Sequence, residues 1–281
     1  MNPVWTIRSP SLRWFLGLAI VAGAVAIFAL PIATAVMWSL VDPDVGWFPP
    51  DVVPSSLSLA NWEHMLGVPE LTEALGRSLM IAVLVTLLCT LLGIPSGVKL
   101  GRGREPYLRV IEVLVLMPLM MPGIVLAVGL GAVYMRVGLA QTVAGVVLVQ
   151  TAVILPLTIR IIAATARAIP ADLPDAARNL GAGPLAVARY VVVPLLVPGI
   201  LAAALLSFIG SFEEFLLSFV VGMPKVQTLP MLLWAYLGGR SAILSYAAVV
   251  SLVLLVPTLA VLVVVERFLK QEYLAAGFGK A

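Results

Sequence analysis

The sequence predicts an all-α membrane protein, and three observations predict it. Of its 281 residues, 62% are hydrophobic and only 11% charged, whereas a soluble globular domain is nearer half apolar and a quarter charged. The apolar residues gather into six continuous runs, each close to the roughly 20 residues that a spanning helix needs. The runs lack the two-residue alternation of a membrane barrel strand. In lipid a continuous apolar run is a helix, because each backbone polar group needs a partner within its own segment.

The first run covers about 14–40 and follows Arg8 and Arg13. Ala33-Thr34-Ala35 near its end resembles a cleavage site, but the run far exceeds the roughly 7–15 residues of a signal h-region. It is read as a retained helix. The loop at 41–74 carries Pro43, Pro49, Pro50, Pro54 and Pro69 and is expected to be mostly irregular. Trp47 and Trp62 place it at a membrane surface, and Ser58-Leu59-Ala60-Asn61-Trp62 opens a short helix. The second span, 75–98, ends in Gly93-x-x-x-Gly97-x-x-x-Gly101. Small residues at that spacing permit close helix contact within the bundle. The third span, 110–134, contains Met117-Pro118-Leu119-Met120-Met121-Pro122-Gly123. This segment reads either as a hinge lining a path, with Met121 on it, or as a kink filled by adaptable methionines. The remaining spans are 142–164, 195–221 and 243–266. The chain is expected to form one domain, 1–281.

Charge sets the orientation. The 41–74 loop holds Asp42, Asp44, Asp51, Glu63, Glu70 and Glu73 and no Lys or Arg. Lys99, Arg102, Arg104 and Arg109 fall in the next loop, Arg160, Arg167, Arg178 and Arg189 around the fourth, and Arg267, Lys270 and Lys280 in the tail. Arg136, Lys225 and Arg240 fall on the other side. The positive-inside rule then puts both termini and the 165–194 segment in the cytoplasm of an inner (plasma) membrane protein.

Several function classes are excluded. A net charge of +3 without a basic stripe does not suit nucleic acid. One cysteine, Cys89, and one histidine, His64, give neither an internal disulfide nor a metal set. No catalytic constellation is visible. Gly101-Arg102-Gly103 precedes no strand, and there is no Walker motif.

The most informative segment is polar and lies between the fourth and fifth spans. Asp175-Ala176-Ala177-Arg178-Asn179-Leu180-Gly181 is followed by Val191-Val192-Val193-Pro194. Asp172 is expected as an N-cap, with Pro174 and Asp175 in the first turn, and Gly181 and Gly183 turning the chain between two short helices. Leu185, Val187, Ala188, Val191 and Val192 fit an apolar helix side. The spacing resembles the coupling loop of the MetI-like permeases of ABC importers, in which Glu-Ala-Ala, three residues, Gly, nine residues and Ile-x-Leu-Pro recur. Asp175 stands for the Glu, Gly181 is in register, and Val191 and Val193 stand before Pro194. The resemblance runs from about the second span onward.

This resemblance implies six transmembrane helices with a cytoplasmic coupling hairpin, about 172–194, between helices 4 and 5. It further implies a non-catalytic subunit whose coupling residues are Asp175, Ala176, Ala177, Gly181 and Pro194. The implied partners are a second homologous permease, two ATP-binding subunits that hold ATP and Mg, and an extracytoplasmic solute-binding protein. No cofactor is expected in this chain. Ser207-Phe208-Ile209-Gly210-Ser211-Phe212-Glu213-Glu214-Phe215 resembles the Ser-Phe-Asp-Asp segment of spermidine/putrescine permeases. That implies a polyamine or similar small organic cation as solute. Phosphonate, thiamine, iron or sugar importers of the same class, and an ion-gradient-driven transporter, are the alternatives. An ionised acid at the bilayer centre costs roughly 2.5–3.5 kcal/mol, so Glu213 or Glu214 is expected to face a solute path or a partner, with Phe212 beside them.

Overall fold

A computed structural model describes residues 10–103, 105–238 and 243–275. Arg8, Arg104, Arg240 and Lys280, used above for orientation, lie outside the described residues. The described chain is helical, with an isolated antiparallel bridge between Val41 and Leu57. Its helices are α1 (Pro10–Ser39), α2 (Ala60–Gly67), α3 (Pro69–Arg102), α4 (Tyr107–Met120), α5 (Gly123–Arg136), α6 (Val143–Ala168), α7 (Asp172–Asn179), α8 (Pro184–Val187), α9 (Val193–Phe212), α10 (Leu216–Gly222), α11 (Leu229–Gly238) and α12 (Leu244–Ala275). A five-residue π turn, Ala188–Val192, joins α8 to α9.

Among the described residues five helical segments are long and apolar enough to cross a membrane, and α4 and α5 make a sixth if the bent pair is one span. The span expected at 110–134, with its hinge or kink at Met117–Gly123, is two helices, α4 and α5, that meet at 101°. The cause is local. Pro118 lies within the last turn of α4, and Met121 is extended at φ −87°, ψ 140°. Pro122, without an N–H, then starts α5. The span expected at 195–221 is likewise two helices, α9 and α10, separated by Glu213–Phe215.

The chain divides into two compact units. One takes the described residues up to Val68 together with Tyr236–Leu252. In it Asn61, 2% exposed, donates from Nδ2 to the Val41 carbonyl at 2.6 Å and to that of Ser39 at 3.4 Å. This ties α2 to the end of α1. Trp38 and Trp47 have ring centroids 4.9 Å apart, and His64 stacks on Tyr246 at 4.9 Å. His64 lies on α2, the short helix expected to open at Ser58–Trp62. The apolar window of α1 buries none of its residues in the chain.

The other unit takes the described residues of Pro69–Ala235 and those from Val253 to Ala275. Its centre is the packing of α3, α6 and α9. Gly97 and Gly101 of α3 lie directly on α6. A Cβ at Gly97 would stand 2.8 Å from Ile162 Cβ, and one at Gly101 would stand 2.5 Å from the Ala163 carbonyl oxygen. Backbone contact this close substitutes for the hydrophobic drive that lipid removes. Above it, Ile81, Val85, Cys89, Val146, Val149 and Val221 form the buried apolar core. Gly97→Leu is expected to cost about 1–3 kcal/mol through overpacking, seen as a lower thermal unfolding midpoint in detergent. An unchanged midpoint would mean that α3 and α6 can separate without penalty.

Candidate functional site

Two places bring the sequence-predicted residues together: a polar hairpin between α6 and α9, and a pair of helix breaks in the second unit.

The hairpin starts at α7. Asp172 is the first residue of this helix, while Ala171 holds the cap position with no side-chain hydrogen bond. The expected capping role of Asp172 is therefore corrected. Asp172 and Asp175 both lie in the first turn, where their charge complements the helix dipole. Arg178 Nη1 donates to Asp175 Oδ1 at 2.7 Å, with both side chains about 60% exposed. Such an exposed pair contributes only about 0.3–0.5 kcal/mol, so Asp175 remains available to another surface.

At its far end α7 closes in a two-bond C-terminal motif. Gly181 N–H donates to the Arg178 carbonyl at 2.9 Å, and Ala182 N–H to the Ala177 carbonyl at 3.0 Å. This arrangement needs a left-handed residue at the turn, and Gly181 supplies it with φ +88°. Gly183, at φ −67°, instead precedes α8 as its cap. Pro174 is buried, Ala177 is half-buried, and Asp175, Ala176 and Gly181 are exposed. Leu180 is 89% exposed and Leu185 81%.

The return arm departs from the expected regular helix. Val193 N–H reaches back five residues to the Ala188 carbonyl, so the turn is wider than an α-turn. Pro194, in the first turn of α9, has no N–H to offer. Val187 is buried while Leu185 and Tyr190 point outward. The single apolar side read from the sequence is thus divided.

The second place is where α9 stops. Glu213 caps α9 with its N–H on the Ile209 carbonyl at 3.0 Å. Its carboxylate is exposed in the chain, with Thr258 Oγ1 donating to Oε1 at 3.4 Å. Glu214 differs. Its Oε1 accepts from Leu217 N–H at 2.7 Å, and its Oε2 accepts from Ser218 N–H at 2.9 Å and Ser218 Oγ at 3.0 Å. It is the anionic cap of α10, satisfying backbone donors that a broken helix would otherwise leave bare in the membrane.

Behind this cap runs a buried polar chain that the sequence did not suggest. Gln150 of α6 is 0% exposed. Its Oε1 accepts from Ser211 Oγ at 2.5 Å, and its Nε2 donates to Ser218 Oγ at 2.9 Å. Ser218 Oγ in turn donates its hydrogen bond to Glu214 Oε2. A lone amide inside the 142–164 apolar run was the available signal, since polar side chains within spans usually bond another helix.

Met121, 45% exposed, sits at the α4–α5 bend. That bend adjoins the α9–α10 break, because a Cβ at Gly123 would lie 3.6 Å from Leu216 Cδ2. Phe212 is 1% exposed and stacks on Phe208 at 5.7 Å. It backs the break and is not displayed at it. Pro257, inside α12, precedes the Thr258 that meets Glu213. Glu213 thus meets the proline-bearing α12 through Thr258, while the α4–α5 bend adjoins the start of α10.

Comparison with known proteins agrees with this anatomy. Residues 89–271 match the family described as binding-protein-dependent transport system inner membrane component. The chain is 32% identical over 216 residues to a putative ABC transporter permease protein of Streptomyces antibioticus, covering 76% of this chain and 94% of that one. It is 35% identical over 163 residues to the molybdenum transport system permease protein of Mycobacterium tuberculosis, covering 54% and 62%. It is 27% identical over 172 residues to the spermidine/putrescine transport system permease protein of Haemophilus influenzae, covering 61% and 67%. Its fold is similar to that of a solved chain of a bacterial ABC transporter involved in alginate import, with TM-score 0.72 at 17% identity, over 95% of this chain and 99% of that one.

Proposed function

Because this chain belongs to the family of binding-protein-dependent transport system inner membrane components, and is a multi-pass permease subunit of an ABC importer, we propose that it forms half of a solute path and receives its drive through the α7–α8 hairpin. The observation that carries this reading is the hairpin itself. It is a glycine-closed turn between two short helices with Leu180 and Leu185 almost fully exposed. Exposed apolar side chains on a polar projection mark a contact surface.

In this reading both termini and the hairpin lie in the cytoplasm. Asp175, Ala176, Ala177 and Gly181 meet a groove on a separate ATP-binding subunit. Ala176 and Ala177 are small enough for close approach, and Pro194 fixes the angle at which the return arm enters α9. Two ATP-binding subunits, holding ATP and Mg, close when nucleotide binds and draw the hairpin with them. The pull reaches the α9–α10 break through α9. A second, homologous permease completes the path, and an extracytoplasmic solute-binding protein delivers solute to the opposite side.

The solute we propose is a polyamine or similar small organic cation, met by a carboxylate at the break with Met121 alongside and Phe212 behind. Glu213 supports this choice, since a charge left exposed within a span requires water, solute or partner. A second reading, a small oxyanion, is favoured by the 35% identity to the molybdenum permease. The two readings differ in a direct assay. The companion binding protein should show a raised melting temperature with spermidine or putrescine, and none with molybdate or trehalose. A shift with molybdate alone would replace the cation reading by the second.

A further inference from the structure

We propose that the two adjacent glutamates have separate duties, divided by Gln150. Gln150 is a positioning residue that, through Ser211 and Ser218, commits Glu214 to the helix break and leaves Glu213 as the one carboxylate presented to solute. The choice of Glu213 as the solute group rests on the path reading above. The clamp on Glu214 does not.

Glu214 has three donors on its two oxygens, two of them backbone N–H groups of α10. Those groups have no other partner inside the membrane, so releasing Glu214 to a passing cation would strip the start of α10. Gln150 holds the arrangement from both sides at once. It receives a hydrogen bond from α9, through Ser211, and gives one to α10, through Ser218. The amide therefore bridges the two ends of the break and fixes the angle between them. Both amide groups of Gln150 are used and the side chain is fully buried, so it has no direct access to solute.

Glu213 lies one residue away on the α9 side of the break. Glu213 closes the end of α9 with its N–H on the Ile209 carbonyl, whereas Glu214 bonds forward onto α10, so the two carboxylates serve different helices. It meets Thr258 at 3.4 Å and is otherwise exposed. Thr258 also bonds its own Leu254 carbonyl, so its hydroxyl proton is shared and Glu213 keeps acceptor capacity. The α4–α5 bend that bears Met121 adjoins the start of α10 at Leu216. The sequence pattern of paired acids thus contains one structural group and one functional group.

The test uses the complete complex in membrane vesicles. The native Cys89 is buried at 0% exposure and serves as the internal unreactive thiol. Glu213→Cys is expected to react with a water-soluble trimethylammonium methanethiosulfonate, itself a small organic cation, while the parent chain does not. Adding Ser218→Ala, which breaks the Gln150–Glu214 link, is expected to slow that reaction. A purely structural role for Ser218 would lower stability and leave the labelling rate unchanged. Glu214→Gln is expected to lower the melting temperature of the complex by about 4–8 °C, for two weakened hydrogen bonds, whereas Glu213→Gln leaves it unchanged and raises KM for radiolabelled spermidine.

Equal melting shifts for the two Gln variants, no reaction at Glu213→Cys, or an unchanged labelling rate with Ser218→Ala would overturn the division of duties. If labelling and melting behave as expected while neither parent nor Glu213→Gln carries spermidine, the division stands and the polyamine assignment fails.

Discussion

Gly181→Asp is expected to reduce ATP-dependent uptake in reconstituted vesicles to the level seen without nucleotide, while the protein still inserts and assembles. The reasons are local. Gly181 sits at φ +88°, where an L-residue costs roughly 1–2 kcal/mol. That is too little to unfold six spans, but enough to loosen the two hydrogen bonds that close α7. No heavy atom lies within 4 Å of a Cβ built there. The new carboxylate would therefore project from the hairpin surface, where the ATP-binding subunit is proposed to sit. Strain re-aims the hairpin and charge blocks its contact. Gly181→Ala should keep part of the activity, because it adds strain without charge. Full uptake by Gly181→Asp would remove the hairpin from the coupling role.

Glu214→Leu carries the second large effect, and two accounts give it opposite signs. If Glu214 were only an acid placed in lipid, its replacement would recover roughly 2.5–3.5 kcal/mol of insertion cost, and the variant would be more stable. The structure gives the other sign. Leucine removes the acceptor for Leu217 N–H, Ser218 N–H and Ser218 Oγ. Each unsatisfied backbone donor within the membrane costs several kcal/mol, and these losses exceed the insertion gain. The variant is expected to accumulate poorly and to unfold at a clearly lower temperature in detergent. Higher stability than the parent chain would refute the cap on α10.

Much of this molecule was legible in its residues, and the illegible parts share one cause. The spans were legible because apolarity summed over about 20 residues is a strong signal. The hairpin was legible because Asp175, Gly181 and Pro194 carry separate mechanical needs, at the start of a helix, its left-handed end and the entry to the next helix. The breaks were legible only in part, since Met117–Gly123 read as a hinge or a kink and Ser211–Leu217 did not. Met117–Gly123 and Ser211–Leu217 are as apolar as their surroundings apart from the two acids, and summed apolarity does not report whether a helix continues. Pro122 signalled a kink but not a turn of 101°. The two glutamates read as one feature because nothing local distinguishes them. Their difference comes from Gln150, about 60 residues earlier in the chain, whose hydrogen bonds select one of them. The π turn at Ala188–Val192 was missed for a similar reason. Its residues fit an α-helical period, and the departure comes from the missing donor of Pro194.

Mixed cost and benefit at these places also explains their position. A continuous helix from Val193 to Gly222 would satisfy its backbone without help. Breaking it requires a charged cap and a buried amide, so a segment of this kind is retained where movement or solute contact is needed. The α4–α5 bend beside it has the same character, with Met121 extended between two helices.

The most direct measurement is uptake in proteoliposomes that contain this chain, its partner permease and the binding protein, with the ATP-binding subunits either present or omitted. The solute is the one that raises the binding protein's melting temperature. Uptake is predicted only when the ATP-binding subunits and internal ATP are both present, and to vanish when either is withdrawn. Uptake that persists without them, driven by an imposed proton or sodium gradient, would contradict the claim that force enters this chain through its hairpin.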